Sequence, residues 1–144
     1  PESKFIHIIR DGRDVADSYL RMKRYQKLEE AARRWNTSIS LAQSFGSKRG
    51  DDYMEMRYED MVTDTEPVIR EVCTFLGIDY SPEMLEHTSR VDKLGDTDKA
   101  HHSNLTKPIN SESVGKWKKN FSDSEQKEVN RLLRQNLLSL GYVD

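Results

Sequence analysis

The sequence predicts an α/β chain, mostly helical, with a parallel sheet flanked by helices. Lys4–Ile9 is an apolar run (Phe5, Ile6, Ile8, Ile9) of the continuous kind found in strands buried on both faces. Residues 53–61, "YMEMRYEDM", alternate Tyr53, Glu55, Arg57 and Glu59 with Met54, Met56 and Tyr58, the period of a second strand. Between and after these runs, apolar residues recur at steps of three and four. Strands separated by helices point to parallel pairing.

Each element has a local signal. The first strand stops at Arg10, and Asp11 is a plausible N-cap for a helix carrying Val15, Ala16, Tyr19, Leu20 and Met22. A second helix is expected from about Leu28 to Phe45, with Leu28, Ala31, Ala32, Trp35, Ile39, Ala42 and Phe45 on one face. Gly46 is expected just past its end. The second strand is expected to end near Tyr58. A helix follows from about Glu66 to Leu76, with Pro67 in its first turn and Gly77 beyond it. Ser81-Pro82 should open a short helix reaching about His87. Residues 88–112 have no strong period, and a stretch of that kind is expected to be functional or mobile. Ser122 and Glu125 form a capping box ahead of a last helix carrying Val129, Leu132, Leu133, Leu137 and Leu140 and closed by Gly141. Two strands do not support this many helices. Further strands are therefore expected, either in stretches read otherwise or upstream of Pro1. The start at Pro1 rather than Met agrees with the second option.

Composition narrows the function classes. The chain has 144 residues, with 23 Lys and Arg against 25 Asp and Glu, and a net charge of -2. That balance gives no electrostatic case for nucleic acid as a partner. No run of 18 apolar residues occurs, so no membrane span is expected, and no signal peptide is visible. Cys73 is the single cysteine, which rules out an intrachain disulfide and a cysteine-based zinc site and mildly favours a reducing compartment such as the cytoplasm. His101-His102 lacks a further ligand at metal-binding spacing and reads as a solvated loop, so no metal is expected.

The chemistry gathers where strands end, the side of a parallel α/β sheet on which ligands bind. The first strand runs into Arg10-Asp11-Gly12-Arg13-Asp14 and the second into Tyr58-Glu59-Asp60. A helix N-terminus favours an anion, and the Arg10 fork suits phosphate. Ser18 lies eight residues after Arg10, about two turns into the helix. The residues alone leave two readings open. In one, Asp11 caps, Gly12 eases the turn, and Arg10 and Arg13 pair with Asp14 and Asp17 on the surface. In the other, Arg10 and Ser18 converge on a phosphate. Glu59 and Asp60, adjacent on a strand, would face opposite sides and make a poor acid–base pair. Trp117 is expected to pack rather than touch a ligand.

"KFIHIIRDGRDVADSYLRM" resembles the 3′-phosphate-binding segment of sulfotransferases, which use 3′-phosphoadenosine-5′-phosphosulfate (PAPS). There an apolar strand runs into Arg-x-x-(Arg/Lys)-Asp, with a Ser eight residues after the first Arg. The resemblance implies that Arg10 and Ser18 grip the donor's 3′-phosphate. "MRYEDMVTDTEPVIREVCTFLGIDY" is similar to the family's Tyr-Glu-Asp segment, which implies Tyr58 near the adenine. "SVGKWKKNFSDSEQKEVNRLLRQNLLSLGY" resembles its C-terminal segment. "KPIN", residues 107–110, resembles the Lys-Pro-Val-Asn of the tyrosylprotein branch and makes Lys107 a donor-binding candidate, with a loop including Ser103 closing over the nucleotide; a solvated lysine is the alternative. "RDGR" also suits that branch. The cytosolic Arg-Lys-Gly is replaced by Asn110, Ser111 and Glu112, and the branch stays open.

The resemblance implies a sulfotransferase moving a sulfuryl group from PAPS to a hydroxyl or amine acceptor and releasing 3′,5′-adenosine bisphosphate. Residues 1–144 would be the C-terminal portion of one such domain, part of a P-loop-type parallel sheet. No G-x-x-x-x-G-K-[ST] loop occurs in the chain. The 5′-phosphosulfate loop and the catalytic base are expected upstream of Pro1, and the segment by itself is expected to be inactive. The alternative is a non-catalytic nucleotide-binding or interaction module derived from the same fold. The sequence identifies neither the acceptor nor the oligomeric state.

Overall fold

A computed structural model describes residues 3–86 and 109–142. Their elements are β1 (Phe5–Ile9), α1 (Gly12–Arg21), α2 (Leu28–Gly46), β2 (Tyr53–Arg57), α3 (Tyr58–Thr63), α4 (Thr65–Leu76), α5 (Trp117–Asn120) and α6 (Asp123–Ser139). Short 3-10 turns lie at Gly50–Asp52 and Pro82–Leu85. β1 and β2 pair in parallel, from Phe5 opposite Tyr53 to Ile9 opposite Arg57. Both strands therefore end at the same edge, where α1 and α3 begin. The fold is α/β and mostly helical, as the sequence predicts.

The chain divides into two compact units, residues 1–59 with 112–144 and residues 60–111. In the first, α2 packs against α1 and α6 around Ile9, Ala16, Ala32, Trp35, Val129 and Leu133. Burying side chains such as Val129 and Leu133, both fully enclosed, is worth roughly 1.5–3 kcal/mol each. Gly12 matters to this packing. A Cβ there would come within 2.6 Å of the Trp35 ring, so only glycine lets that ring lie on the start of α1. Trp117 is buried in the same core, as the sequence reading expects.

Local capping follows the sequence closely. Asp11 caps α1 by accepting the Arg13 N–H, and Ser122 and Glu125 complete both bonds of the capping box on α6. Gly77 ends α4. In the second unit, Arg70 pairs with Glu66 at 2.8 Å and lies 3.8 Å from the Tyr80 ring centroid. Cys73 is buried, with its sulfur 3.6 Å from Met84 Sδ.

Several expectations are corrected. β1 is not buried on both faces: its Phe5, His7 and Ile9 face is covered, while Ile6 and Ile8 are exposed. The aromatic end of α2 explains the covered side, with Phe45 edge-on to Phe5 at 4.9 Å. β2 stops at Arg57, and Tyr58 opens a helix instead of ending the strand. Glu59 and Asp60 are therefore helical neighbours, and the argument that placed them on opposite strand faces does not apply. Gly46 belongs to α2 and is followed by Ser47 in the right-handed region, so it is no left-handed cap. A Cβ at Gly46 would collide with the Tyr53 ring. Pro82–Leu85 is a 3-10 turn rather than a helix reaching His87. The aperiodic 88–112 stretch falls outside the described residues up to 108. Among the described residues, no helix is long and apolar enough to cross a membrane.

Candidate functional site

Arg10 sits in the two-residue link between β1 and α1, on the edge where both strands end. Its guanidinium carbon lies 4.9 Å from the Tyr58 ring centroid, within cation–π range. One terminal nitrogen donates to the Ser113 carbonyl at 2.5 Å. Its Nε is buried, and no hydrogen-bond partner for it is found among the described residues. A buried guanidinium N–H without an acceptor is costly, and an oxyanion placed there would satisfy it.

The anion at the α1 N-terminus is the protein's own. Asp11 accepts from the Arg13 backbone at 2.8 Å and forms a buried pair with the Arg13 guanidinium, also at 2.8 Å. Arg13 in addition reaches Asn130 and stacks 4.3 Å from the Trp117 ring centroid. The expected surface pairing of Arg10 and Arg13 with Asp14 and Asp17 is not what forms. Asp14 is 1% exposed and accepts from the backbone of Gly115 at 2.7 Å and Trp117 at 3.0 Å. Asp17 is buried too, holding Arg21 and the Asn120 amide. These acids bury because the C-terminal turn brings N–H groups to them. That turn also delivers the Ser113 carbonyl to Arg10.

Arg10 and Tyr58 are thus brought together. Ser18 is on α1, one turn beyond Asp14. Its hydroxyl lies 3.7 Å from Met22 Sδ, and among the described residues no hydrogen bond joins it to Arg10. Ser103 and Lys107 lie outside the described residues, as do His101 and His102.

Two groups shape the turn in ways the sequence reading does not foresee: Glu59, weighed there only as half of a poor acid–base pair, and Tyr142. The Glu59 carboxylate, buried, accepts from the Asp11 N–H at 2.9 Å and from the Tyr142 hydroxyl at 2.8 Å. Tyr142 lies beneath the Arg57 guanidinium at 4.2 Å. Its phenol is pushed well above its ordinary pKa, first by burial, then by the bond to Glu59 and that group's charge. The available signal was "LGY" at the chain's end, an aromatic straight after a helix-closing glycine. Separately, a cleft of about 510 Å³ opens along α6, lined by Arg13, Arg134, Leu138 and Tyr142 among others. Arg10, Ser18 and Tyr58 do not line it.

Parallel strands, a helix after each, and an arginine beyond the first strand's end define an α/β protein of the class whose ligand sites lie at strand ends. A family model described as "Sulfotransferase family" matches residues 1–82. The chain belongs to the sulfotransferase family. It is 25% identical over 152 aligned residues to "Protein-tyrosine sulfotransferase 1" of Danio rerio, with 99% of this chain and 42% of that protein covered. It is 27% identical to "Protein-tyrosine sulfotransferase 2" of Gallus gallus, covering 81% of this chain and 34% of the other. The solved "Sulfotransferase Domain from the Synechococcus PCC 7002 Olefin Synthase" superposes with a TM-score of 0.73 at 26% identity, over 92% of this chain and 48% of that one. The chain spans less than half the length of these relatives.

Proposed function

We propose that the chain carries the 3′-phosphate- and adenosine-binding part of a PAPS-dependent sulfotransferase acting on a hydroxyl or amine acceptor. Arg10 grips the 3′-phosphate, Ser18 adds a hydroxyl donor, and Tyr58 lies against the adenine. Lys107 and Ser103 are proposed as further donor contacts on sequence resemblance alone. In this reading residues 1–144 are the C-terminal portion of one domain.

The observation that carries the proposal is the state of Arg10. Its fork is braced on Tyr58, held by the Ser113 carbonyl, and keeps a buried N–H without an acceptor among the described residues. A phosphate dianion is the natural complement, because charge-assisted bonds to guanidinium are about twice as strong as neutral ones. The 3′-phosphate does not react. Binding it anchors the donor remotely, so that binding energy is spent on positioning the sulfuryl group. Transfer itself requires cationic stabilisation of the phosphosulfate and a base for the acceptor. The sequence has no Gly-rich phosphate loop to supply the first. The chain alone is expected to bind the nucleotide and transfer no sulfate, and turnover by these 144 residues on their own would overturn that part.

Arginine Nε–H resonances provide the direct test. Titrating the chain with 3′,5′-adenosine bisphosphate should move the Arg10 Nε–H signal and the Ser18 and Tyr58 resonances first. Shifts confined to other residues would refute the assignment. The names of the two tyrosine-modifying relatives make a tyrosyl peptide the first acceptor to try with a longer chain.

A further inference from the structure

We propose that Glu59 and Tyr142 are positioning residues that lock the backbone of Arg10 and thereby set the preference for a 3′-phosphorylated nucleotide. This rests on the reading of Arg10 as the phosphate grip. Arg10 belongs to two peptide groups, and side chains bond both polar atoms of the second. In the Ile9–Arg10 group, the Ile9 carbonyl only neighbours the Tyr142 hydroxyl, at 3.3 Å, because that hydroxyl's one proton goes to Glu59. In the Arg10–Asp11 group, the Asp11 N–H donates to Glu59 at 2.9 Å and the Arg10 carbonyl accepts from Trp35 Nε1 at 3.1 Å. Glu59 is itself steadied by the Tyr142 hydroxyl, which donates to it at 2.8 Å, so the buried pair holds the Asp11 N–H beside Arg10.

The anchors come from far along the chain: Tyr142 is 133 residues from Ile9, and Glu59 is 48 from Asp11. A link of two residues between a strand and a helix could otherwise swing its side chain. Fixing the peptide that follows Arg10 restrains its ψ and helps aim the guanidinium, and Tyr58 and Ser113 then brace its far end. The ordering cost is met on folding, so less is lost when phosphate binds. Displacing the fork by even a fraction of an ångström degrades hydrogen bonds whose strength is directional.

The experiment compares affinities for 3′,5′-adenosine bisphosphate and for 5′-AMP, which lacks the 3′-phosphate, across wild type, Tyr142→Phe, Glu59→Gln and Arg10→Ala. The expected result is a loss of about tenfold in bisphosphate affinity for Tyr142→Phe, the cost of about one hydrogen bond to a charged group, with AMP affinity unchanged. A general loosening of the fold would weaken both nucleotides alike and would overturn the proposal. So would a Tyr142→Phe variant that keeps the full preference while Arg10→Ala abolishes it; in that case the phosphate reading stands and the lock alone falls. If wild type shows no preference, both fall together. Should Tyr142→Phe fail to fold, Glu59→Gln decides on the same criteria, since it keeps an acceptor for Asp11 and removes the charged partner of Tyr142.

Discussion

Around Arg10, a charge cluster that looks like surface is buried and paired. The neighbours Arg13, Asp14 and Asp17 are 4%, 1% and 2% exposed, and each is neutralised by a partner or by backbone N–H groups. Among the described residues, that leaves Arg10 with a buried donor that has no partner. Asp14 should be costly to remove. Asp14→Ala leaves the N–H groups of Gly115 and Trp117 without their acceptor; at about 1–3 kcal/mol for each buried unsatisfied donor, the loss should exceed about 2 kcal/mol in urea unfolding. A change under about 0.5 kcal/mol would show that water or another acceptor replaces it. The placement of Arg10 and Tyr58 beyond the two strands was legible in the sequence, and the fold brings them together. The sequence hid the role of Asp14, whose partners lie 101 and 103 residues away, because no local pattern encodes a contact of that range.

At the scale of the element, boundaries set by local chemistry were legible and those set by packing were not. Asp11, Ser122, Glu125 and Gly77 announce helix ends because caps are hydrogen bonds between near neighbours. β2 ends at Arg57, one residue before Tyr58, which continues the strand's alternation while its backbone turns helical. Gly46 looked like a cap because a close approach by Tyr53 cannot be seen in its neighbours. Two substitutions test this scale. Gly12→Ala forces a methyl into the Trp35 ring and should cost about 1–3 kcal/mol, and it should also weaken the bond from Trp35 to the Arg10 carbonyl. Thermal melting would register this as a clear drop, and an unchanged midpoint would mean the ring relaxes freely. Ser122→Ala removes half of the capping box on α6 and should cost about 0.5–2 kcal/mol in the same measurement.

For the whole molecule, α6 and the C-terminal turn close over the start of α1, so residues at opposite ends of the chain share one network. Tyr142 makes this closure titratable. Its phenol holds its proton more tightly folded than unfolded, by burial and by Glu59. The stability this contributes is intact below the unfolded tyrosine value of about 10 and is lost as pH rises through that value towards the folded one. Wild type should therefore lose stability above pH of about 10 more steeply than Tyr142→Phe. Equal slopes would show that the phenol does not titrate with unfolding; Tyr53, raised by burial and by Glu55, is common to both proteins. The α/β class and the family were legible because strand-end motifs survive as short runs. The exposure of Ile6 and Ile8 was not, since an apolar strand reads the same whether one face or two are covered.

The proposed function turns on the grip of Arg10 on the 3′-phosphate of the donor nucleotide. Calorimetric titration of wild type and Arg10→Ala with 3′,5′-adenosine bisphosphate and with 5′-AMP tests it most directly. Wild type should bind the bisphosphate at least about tenfold more tightly, the worth of a charge-assisted phosphate contact, and Arg10→Ala should erase this difference while leaving AMP affinity intact. A preference that survives the loss of Arg10 would contradict it.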